Sequence, residues 1–174
     1  MSRTDEVRAA LVGKFPQLAG AMRVQRERRL WIEVERGSLT EVFEFLVKGL
    51  GFIHLCTITG LDEGTDLAFI YHLAQDGGQV ANLRTRCPKG QAVKSVTPLF
   101  PGASIYEREL EDLLGARIEG LPPGQRYPLP DDWPQDDHPL LKDWKPRSSA
   151  GGAEPPPAGG APAAEKGASG ERQG

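Results

Sequence analysis

The order of strand-like and helix-like segments predicts an α+β domain followed by an extended arm. Three observations carry that prediction. Strands and helices are mixed without strict strand–helix alternation, which favours a mostly antiparallel sheet with helices packed on one side. Two of the helices open on S-x-x-E and close on glycine. After Gly120 the chain turns proline-rich, with seven prolines between Leu121 and Pro146, and neither the helical nor the strand period survives there. The expected organisation is a domain over residues 1–120, an arm over 121–147 and a Gly/Pro/Ala-rich tail over 148–174.

The first helix is expected from Thr4 to Gly13. Thr4 is the expected cap, Asp5 and Glu6 suit the positive helix start, and Val7, Ala10 and Leu11 form a narrow apolar stripe. Phe15, standing before Pro16, ends it. Met22 to Arg26 and Leu30 to Glu35 read as two strands around a turn at Glu27–Arg28. In the second, Leu30, Ile32 and Val34 share one face and Glu33 and Glu35 the other.

Ser38 and Glu41 have capping-box spacing and open the second helix. Leu39, Val42, Phe43, Leu46 and Leu50 follow at helical spacing, and Gly51 stands at the glycine stop. Phe52 to Thr59 reads as a strand, Asp62–Gly64 as a turn, and Asp66 to Leu73 as a strand so continuously apolar that cover on both faces is expected. Asp76–Gly78 is a hairpin turn returning through Gln79 to Arg86.

The third helix is expected from Ser104 to Leu114. Ser104 and Glu107 repeat the capping-box spacing, and Gly115 ends the helix. Tyr106, Leu110, Leu113 and Leu114 form its apolar face. Glu107, Arg108, Glu109, Glu111 and Asp112 are expected on the opposite face. Beyond Gly120, the arm carries Trp133 and Trp144. Their indoles need burial, either against a partner or against the parent domain. From Ser148 to Gly174, 21 of 27 residues are Gly, Pro, Ala or Ser, with no aromatic or large aliphatic side chain. Such a composition cannot offset its ordering entropy, and disorder is expected.

Composition removes several function classes. The longest charge-free run, Gly49–Leu61, is 13 residues and half polar or glycine, too short for a spanning helix. The start, Met1 to Glu6, lacks the apolar stretch of a secretory signal. Two cysteines make neither a disulfide scaffold nor a cysteine-rich metal site. The net charge of −3 argues against nucleic acid as main partner. A protein on the cytosolic side is the expectation.

A search for chemistry returns little. No phosphate-cradling glycine motif is present. His54 and Cys56 stand two apart on a strand, with His72 available from a neighbour, but ordinary half-buried strand residues explain them more simply. Glu107, Glu109, Glu111 and Asp112 could serve as paired carboxylates, yet interspersed with Arg108 on an amphipathic helix they read as its solvent face or an ion-pair contact. Arg23, Arg26, Arg28 and Arg29 read as a solvated basic hairpin. Pro155–Pro157 could recruit a partner, but no P-x-x-P with basic flanks surrounds it.

Two segments do resemble a known family. Thr97 to Gly115, TPLFPGASIYERELEDLLG, resembles the signature of the 30-kDa subunit family of respiratory complex I, the NADH–quinone oxidoreductase, which typically reads PGANWYEREVWDLFGI. Tyr106, Glu107, Arg108, Glu109, Asp112, Leu113 and Gly115 fall on that pattern. His138-Pro139-Leu140-Leu141-Lys142-Asp143-Trp144 resembles the family's HPLRKDF. Asp62 and Phe69–Leu73 resemble its strand pair. Two departures stand out. Leu121–Arg126 replaces the family's HPDLRR-like stretch, leaving Arg126 as the basic residue, and Leu141 stands where arginine is common.

The resemblance implies an α+β subunit that binds no cofactor of its own. It would lie on the cytoplasmic side of the membrane, with membrane contact only through its complex. Its expected partners are a hydrogenase-like large subunit and iron–sulfur subunits, and the host complex is expected to carry iron–sulfur clusters. Glu107, Arg108 and Glu109 would be structural or interface charges, and the arm with Trp133 and Trp144 would lie along the large subunit. Pro130-Asp131-Asp132-Trp133 and the Gly/Ala/Pro-rich sequence after Lys145 look more like subunits of membrane-bound, energy-converting nickel–iron hydrogenases, so both kinds of complex are expected hosts.

Overall fold

The computed structural model describes residues 2–146. The tail expectation for 148–174 lies outside them, as does the arm's last residue, Arg147.

Helix α1 (Arg3–Lys14) starts one residue before the expected place. Ser2, not Thr4, is its cap: the Ser2 hydroxyl accepts the Asp5 N–H at 3.2 Å, and the Asp5 carboxylate accepts the Ser2 N–H at 3.1 Å. Thr4 is buried inside the first turn and trades hydrogen bonds with the Gln79 amide at 3.0 and 3.2 Å.

Strands β1 (Met22–Arg26) and β2 (Arg29–Glu33) form the expected hairpin, and Leu30, Ile32 and Val34 are buried along one face as their alternation required. Helix α2 (Leu39–Glu44) follows and runs into a π turn over Phe45–Gly49. The expected Ser38 capping box does not form. Ser38 ends a 3-10 turn with φ −98° and ψ −3°, so its hydroxyl is not presented to the helix start as an extended cap residue would present it. Gly51, at φ +75°, ends the helix as expected, and the Phe52 N–H reaches back to the Leu46 carbonyl at 3.0 Å.

Strands β3 (His54–Asp62), β4 (Asp66–Gln75) and β5 (Gln79–Pro88) complete a five-stranded sheet in the order β1-β2-β5-β4-β3. The third strand begins later and ends later than Phe52–Thr59, because pairing continues to Asp62↔Leu67. The expectation of a mostly antiparallel sheet holds, with β2–β5 as its one parallel pairing. The chain leaves β2 through α2 and the β3–β4 hairpin before it returns beside β2, so that neighbour arrives in the same direction.

A short parallel pair, β6 (Ala92–Lys94) and β7 (Arg117–Glu119), flanks helix α3 (Ala103–Leu114). Three-residue strands are too short to carry a detectable period, and neither was expected.

The helices lie on one face. Registers place Ile32, Leu83, Tyr71 and Ile58 on a common side, with Gln79 and Gly60 in line. Thr4 of α1 meets Gln79, and Phe43 of α2 packs edge-on to Tyr71 at 5.5 Å. A Cβ on Gly60 would collide with Leu114 and fall 2.5 Å from Leu110 of α3, so these two leucine side chains fill the space that glycine leaves at the strand. Fully buried side chains such as Phe43, Leu46, Leu73 and Leu83 each contribute about 1.5–3 kcal/mol of burial.

The far face carries a charge lattice. Arg84 pairs with Glu33 at 3.0 Å and with Glu63, and Arg86 pairs with Glu63 at 2.7 Å and Glu33 at 3.2 Å. Strand β4 is buried on both sides, as its composition implied.

Candidate functional site

Helix α3 and the arm build one continuous site. Pro98 to Gly102 bring the chain around to the helix start, and Gly102, not a serine, stands at the cap. Ser104 is already inside the first turn, so the expected Ser104–Glu107 capping box does not form. Glu107 turns inward and is 1% exposed. Its carboxylate accepts the Val96 N–H and the Ser95 hydroxyl, both at 2.7 Å, and Ser95 in turn donates its N–H to Glu119 of β7 at 2.9 Å. The residue expected on the solvent face therefore ties α3 to the β6–β7 pair. Burial pushes the Glu107 carboxyl above its usual range, against the pull of the Val96 and Ser95 donors. The nearby Tyr71 hydroxyl is pushed up by its own burial first and by Glu107 second.

Asp112, also expected on the solvent face, is buried too. Its carboxylate accepts Arg126 Nε and the Leu129 N–H, the latter at 3.0 Å. Arg126 spreads its remaining donors over the carbonyls of Trp133 and, at 3.3 Å, Pro134. A planar five-donor fork suits this task, because one side chain gathers three stretches of chain.

Arg108 donates to the Pro122 carbonyl at 2.7 Å. A Cβ at Gly124 would collide with Arg108 Nη2, so the arm passes directly over the guanidinium. His138 Nδ1 donates to the Asp112 carbonyl at 2.8 Å. Its ring sits against Gly115, where a Cβ would fall 2.7 Å from Cδ2; the same glycine holds φ +65° at the helix end. The Leu140 N–H donates to the Leu113 carbonyl at 2.9 Å. The arm thus satisfies carbonyls that the last turn of α3 leaves open.

Asp62 secures the far end of the arm. Its side chain is 2% exposed. It accepts the Lys142 N–H and Lys89 Nζ, both at 2.9 Å, and the Gly64 N–H at 2.8 Å. Those donors, led by the Lys142 N–H, hold its carboxyl at about 2. Lys142 acts here through its backbone, while its side chain is exposed. The two indoles converge on Asp137: Trp133 Nε1 donates to the Asp137 carbonyl at 2.8 Å, and Trp144 Nε1 donates to its carboxylate. The hydrogen-bond partner of both indoles thus lies within the arm itself, and both rings remain half-buried.

Tyr106 donates its hydroxyl to the Cys56 carbonyl at 3.3 Å. Glu109 lines a hollow between α3 and β3. Pro139 is half-buried, and Asp143 is exposed. Asp62, Ser95, Lys89 and Asp137 are missing from the sequence-derived site. A signal existed for Asp137: two indole donors on one arm require an acceptor, and Asp137 lies between them.

The metal reading of His54, Cys56 and His72 finds no support among the described residues, which hold no cluster of three ligating side chains. His72 is engaged by Thr59 at 3.0 Å and Asn82 at 2.8 Å. No helix among the described residues is long and apolar enough to cross a membrane.

The fold is an α+β domain whose third helix spends Arg108 and Asp112 on positioning an arm. Residues 32–150 match the model of the respiratory-chain NADH dehydrogenase 30 Kd subunit family, and the chain belongs to that family. It is 32% identical over 140 residues to a subunit of the F(420)H(2) dehydrogenase of Methanosarcina mazei, covering 78% of this chain and 88% of that one. It is 32% identical over 151 residues to the hydrogenase-4 component G of Escherichia coli, covering 82% of this chain but 26% of that one. The chain therefore spans about a quarter of that longer relative. A chain in the solved membrane-bound sulfane sulfur reductase (MBS), an archaeal respiratory membrane complex, superposes with a TM-score of 0.75 and 25% identity, covering 83% of this chain and 86% of that one. These relatives are subunits of multi-subunit oxidoreductases, and the fold is the one the resemblance implied.

Proposed function

We propose that this chain is a non-catalytic assembly subunit in the peripheral arm of a complex I-like oxidoreductase. It docks on a hydrogenase-like large subunit beside the iron–sulfur subunits and supports electron transfer to quinone. It holds no cofactor, and it meets the membrane on the cytoplasmic side through its complex. One observation carries this reading: Asp112 and Arg126 are committed to shaping the arm. Glu107 is likewise committed to the core. Carboxylates so buried and saturated with donors are poor proton shuttles for an outside substrate and good scaffolds for an interface.

A second reading places the chain in a membrane-bound nickel–iron hydrogenase. The match to hydrogenase-4 component G favours it. There the equivalent domain is part of a chain roughly four times as long, and a unit fused in one relative and separate in another is expected to keep the same neighbour. The test is gentle affinity purification from membranes through a C-terminal tag, with the co-purifying chains identified by mass spectrometry. A hydrogenase-like large subunit with iron–sulfur subunits supports the reading, and nickel-ligating cysteines in that large chain decide for hydrogenase. A chain that elutes alone and soluble defeats both.

A further inference from the structure

The two edges of the sheet are built differently. β1 forms one edge and β3 the other. β1 reads MRVQR and carries arginines at 23 and 26, the charged blunting that keeps an edge from pairing. β3 carries no charge from His54 through Leu61. A bulge at Cys56 interrupts only its start, and from Thr57 to Asp62 the register with β4 is unbroken. Among the described residues no strand pairs with its outer side.

A hollow of about 280 Å³ lies beside this edge. Leu110, Leu113 and Leu114 of α3 line it together with Glu109, and Leu140 of the arm, 55% exposed, lines it from the other side. Gly60 lines it from the strand side, where Leu110 and Leu114 fill the space a side chain would take.

We infer that the outer edge of β3 receives an extended strand from a partner subunit, which adds to the sheet and drops one apolar side chain into the hollow beside Leu110 and Leu140. Main-chain hydrogen bonds supply affinity in this mode, and the pocket supplies specificity. The occupant must alternate, with an apolar residue toward α3 and its neighbours toward the face that holds Thr57, Thr59 and Leu61.

Two other occupants lack the required side chain. A second copy would offer its own β3, whose residues on the α3 side are Ile58, 5% exposed in its own core, and Gly60. The sequence from Ser148 onward has no aromatic or large aliphatic residue to enter the hollow. The inference rests on the reading of this chain as a subunit of a larger complex.

The experiment compares amide exchange across β3 in the affinity-purified complex and in the full chain alone. Amides of residues 57–61 that point outward are expected to slow at least about tenfold in the complex. Thr57→Lys, which places a charge on this edge, is expected to lower the yield of co-purifying subunits about tenfold, while Val24→Lys on the β1 edge leaves it unchanged. A complex that forms while β3 exchanges as fast as in the free chain overturns the inference and leaves the subunit reading intact. A wild-type chain that elutes as a monomer overturns the subunit reading, and this inference with it. Protection of β3 in a homodimer overturns the choice of occupant.

Discussion

The carboxylate of Asp62, at the end of β3, accepts the backbone N–H of Lys142, 80 positions further along, at 2.9 Å. Both residues belong to segments that resemble the family, and nothing in either segment says that they meet. The contact fixes the last third of the arm to the β3–β4 turn, and Lys89 completes it.

Asp62→Asn is expected to free residues 138–144 while the sheet stays folded. Amide exchange in that segment should rise about tenfold, with the β4 and β5 amides unchanged. The pH dependence has a defined sign. A carboxyl held at about 2, against an ordinary 3.8, stabilises the arm fully above pH 4. That stabilisation is lost as pH falls from about 4 to about 2. An arm that loosens on raising the pH from 5 to 8 would contradict this assignment.

Arg126→Lys is expected to disorganise the arm almost as fully as Arg126→Ala. A single ammonium cannot reach Asp112, Trp133 and Pro134 together. Losing charge-assisted bonds of this kind costs about 2–3 kcal/mol. Tryptophan emission should shift to the red as Trp133 and Trp144 gain water, while far-ultraviolet circular dichroism stays as in the wild type. Unchanged emission in the lysine variant would show that one contact suffices.

Glu107→Ala should destabilise the domain by about 2–3 kcal/mol, because it leaves the Val96 N–H and Ser95 hydroxyl buried without an acceptor. Glu107→Gln keeps an acceptor and a donor in place and should fold. Its titration separates charge from geometry. The wild-type carboxyl lies above its ordinary 4.5 in the folded state, so folding favours its protonated form. Wild-type stability therefore declines as pH rises through 4.5 and beyond. The glutamine variant should gain on the wild type between pH 4 and pH 7, as read by urea denaturation. A gap that widens in the opposite direction would mean that the charged form is the one the site prefers.

Arg108→Ala should leave the isolated domain folded and lower the yield of assembled complex. The guanidinium holds the Pro122 carbonyl at the root of the arm and takes no part in the apolar core. Normal complex yield from this variant would remove Arg108 from the docking role.

Gly60→Ala should cost about 1–3 kcal/mol, since the new methyl group meets Leu110 and Leu114 well inside contact distance. Thermal denaturation would read the loss, and a melting temperature equal to the wild type's would show that α3 has slack.

Much of the fold was legible because its signals are periodic. Leu30, Ile32 and Val34 alternate, the β4 run is apolar on both sides, and Gly51 and Gly115 stop their helices where they stand. The two failed capping boxes share one cause: a serine followed by glutamate reports spacing and not surroundings. Ser38 enters through a 3-10 turn, and Ser104 lies inside the helix. Glu107 had a better use in the core, because Ser95 and Val96 arrive from outside the helix. Asp112 reads as a surface charge until the arm, more than a dozen residues later, brings Arg126 to it. Contacts between distant stretches leave no local pattern, so the motif located the helix while its geometry required the structure.

The seven prolines of the arm and its clamps at Asp62, Asp112 and Asp137 have a consequence for association. A flexible segment surrenders backbone freedom and about 0.5–1.5 kcal/mol per immobilised side chain when it settles on a partner. Here that ordering is completed in the free chain, and proline has already narrowed the choices of the unfolded one. On the docking role proposed above, encounter would resemble two finished surfaces meeting. A loosened arm would still recognise its partner but would hold it for a shorter time, so damage to the clamps would be read in the dissociation rate more than in the association rate.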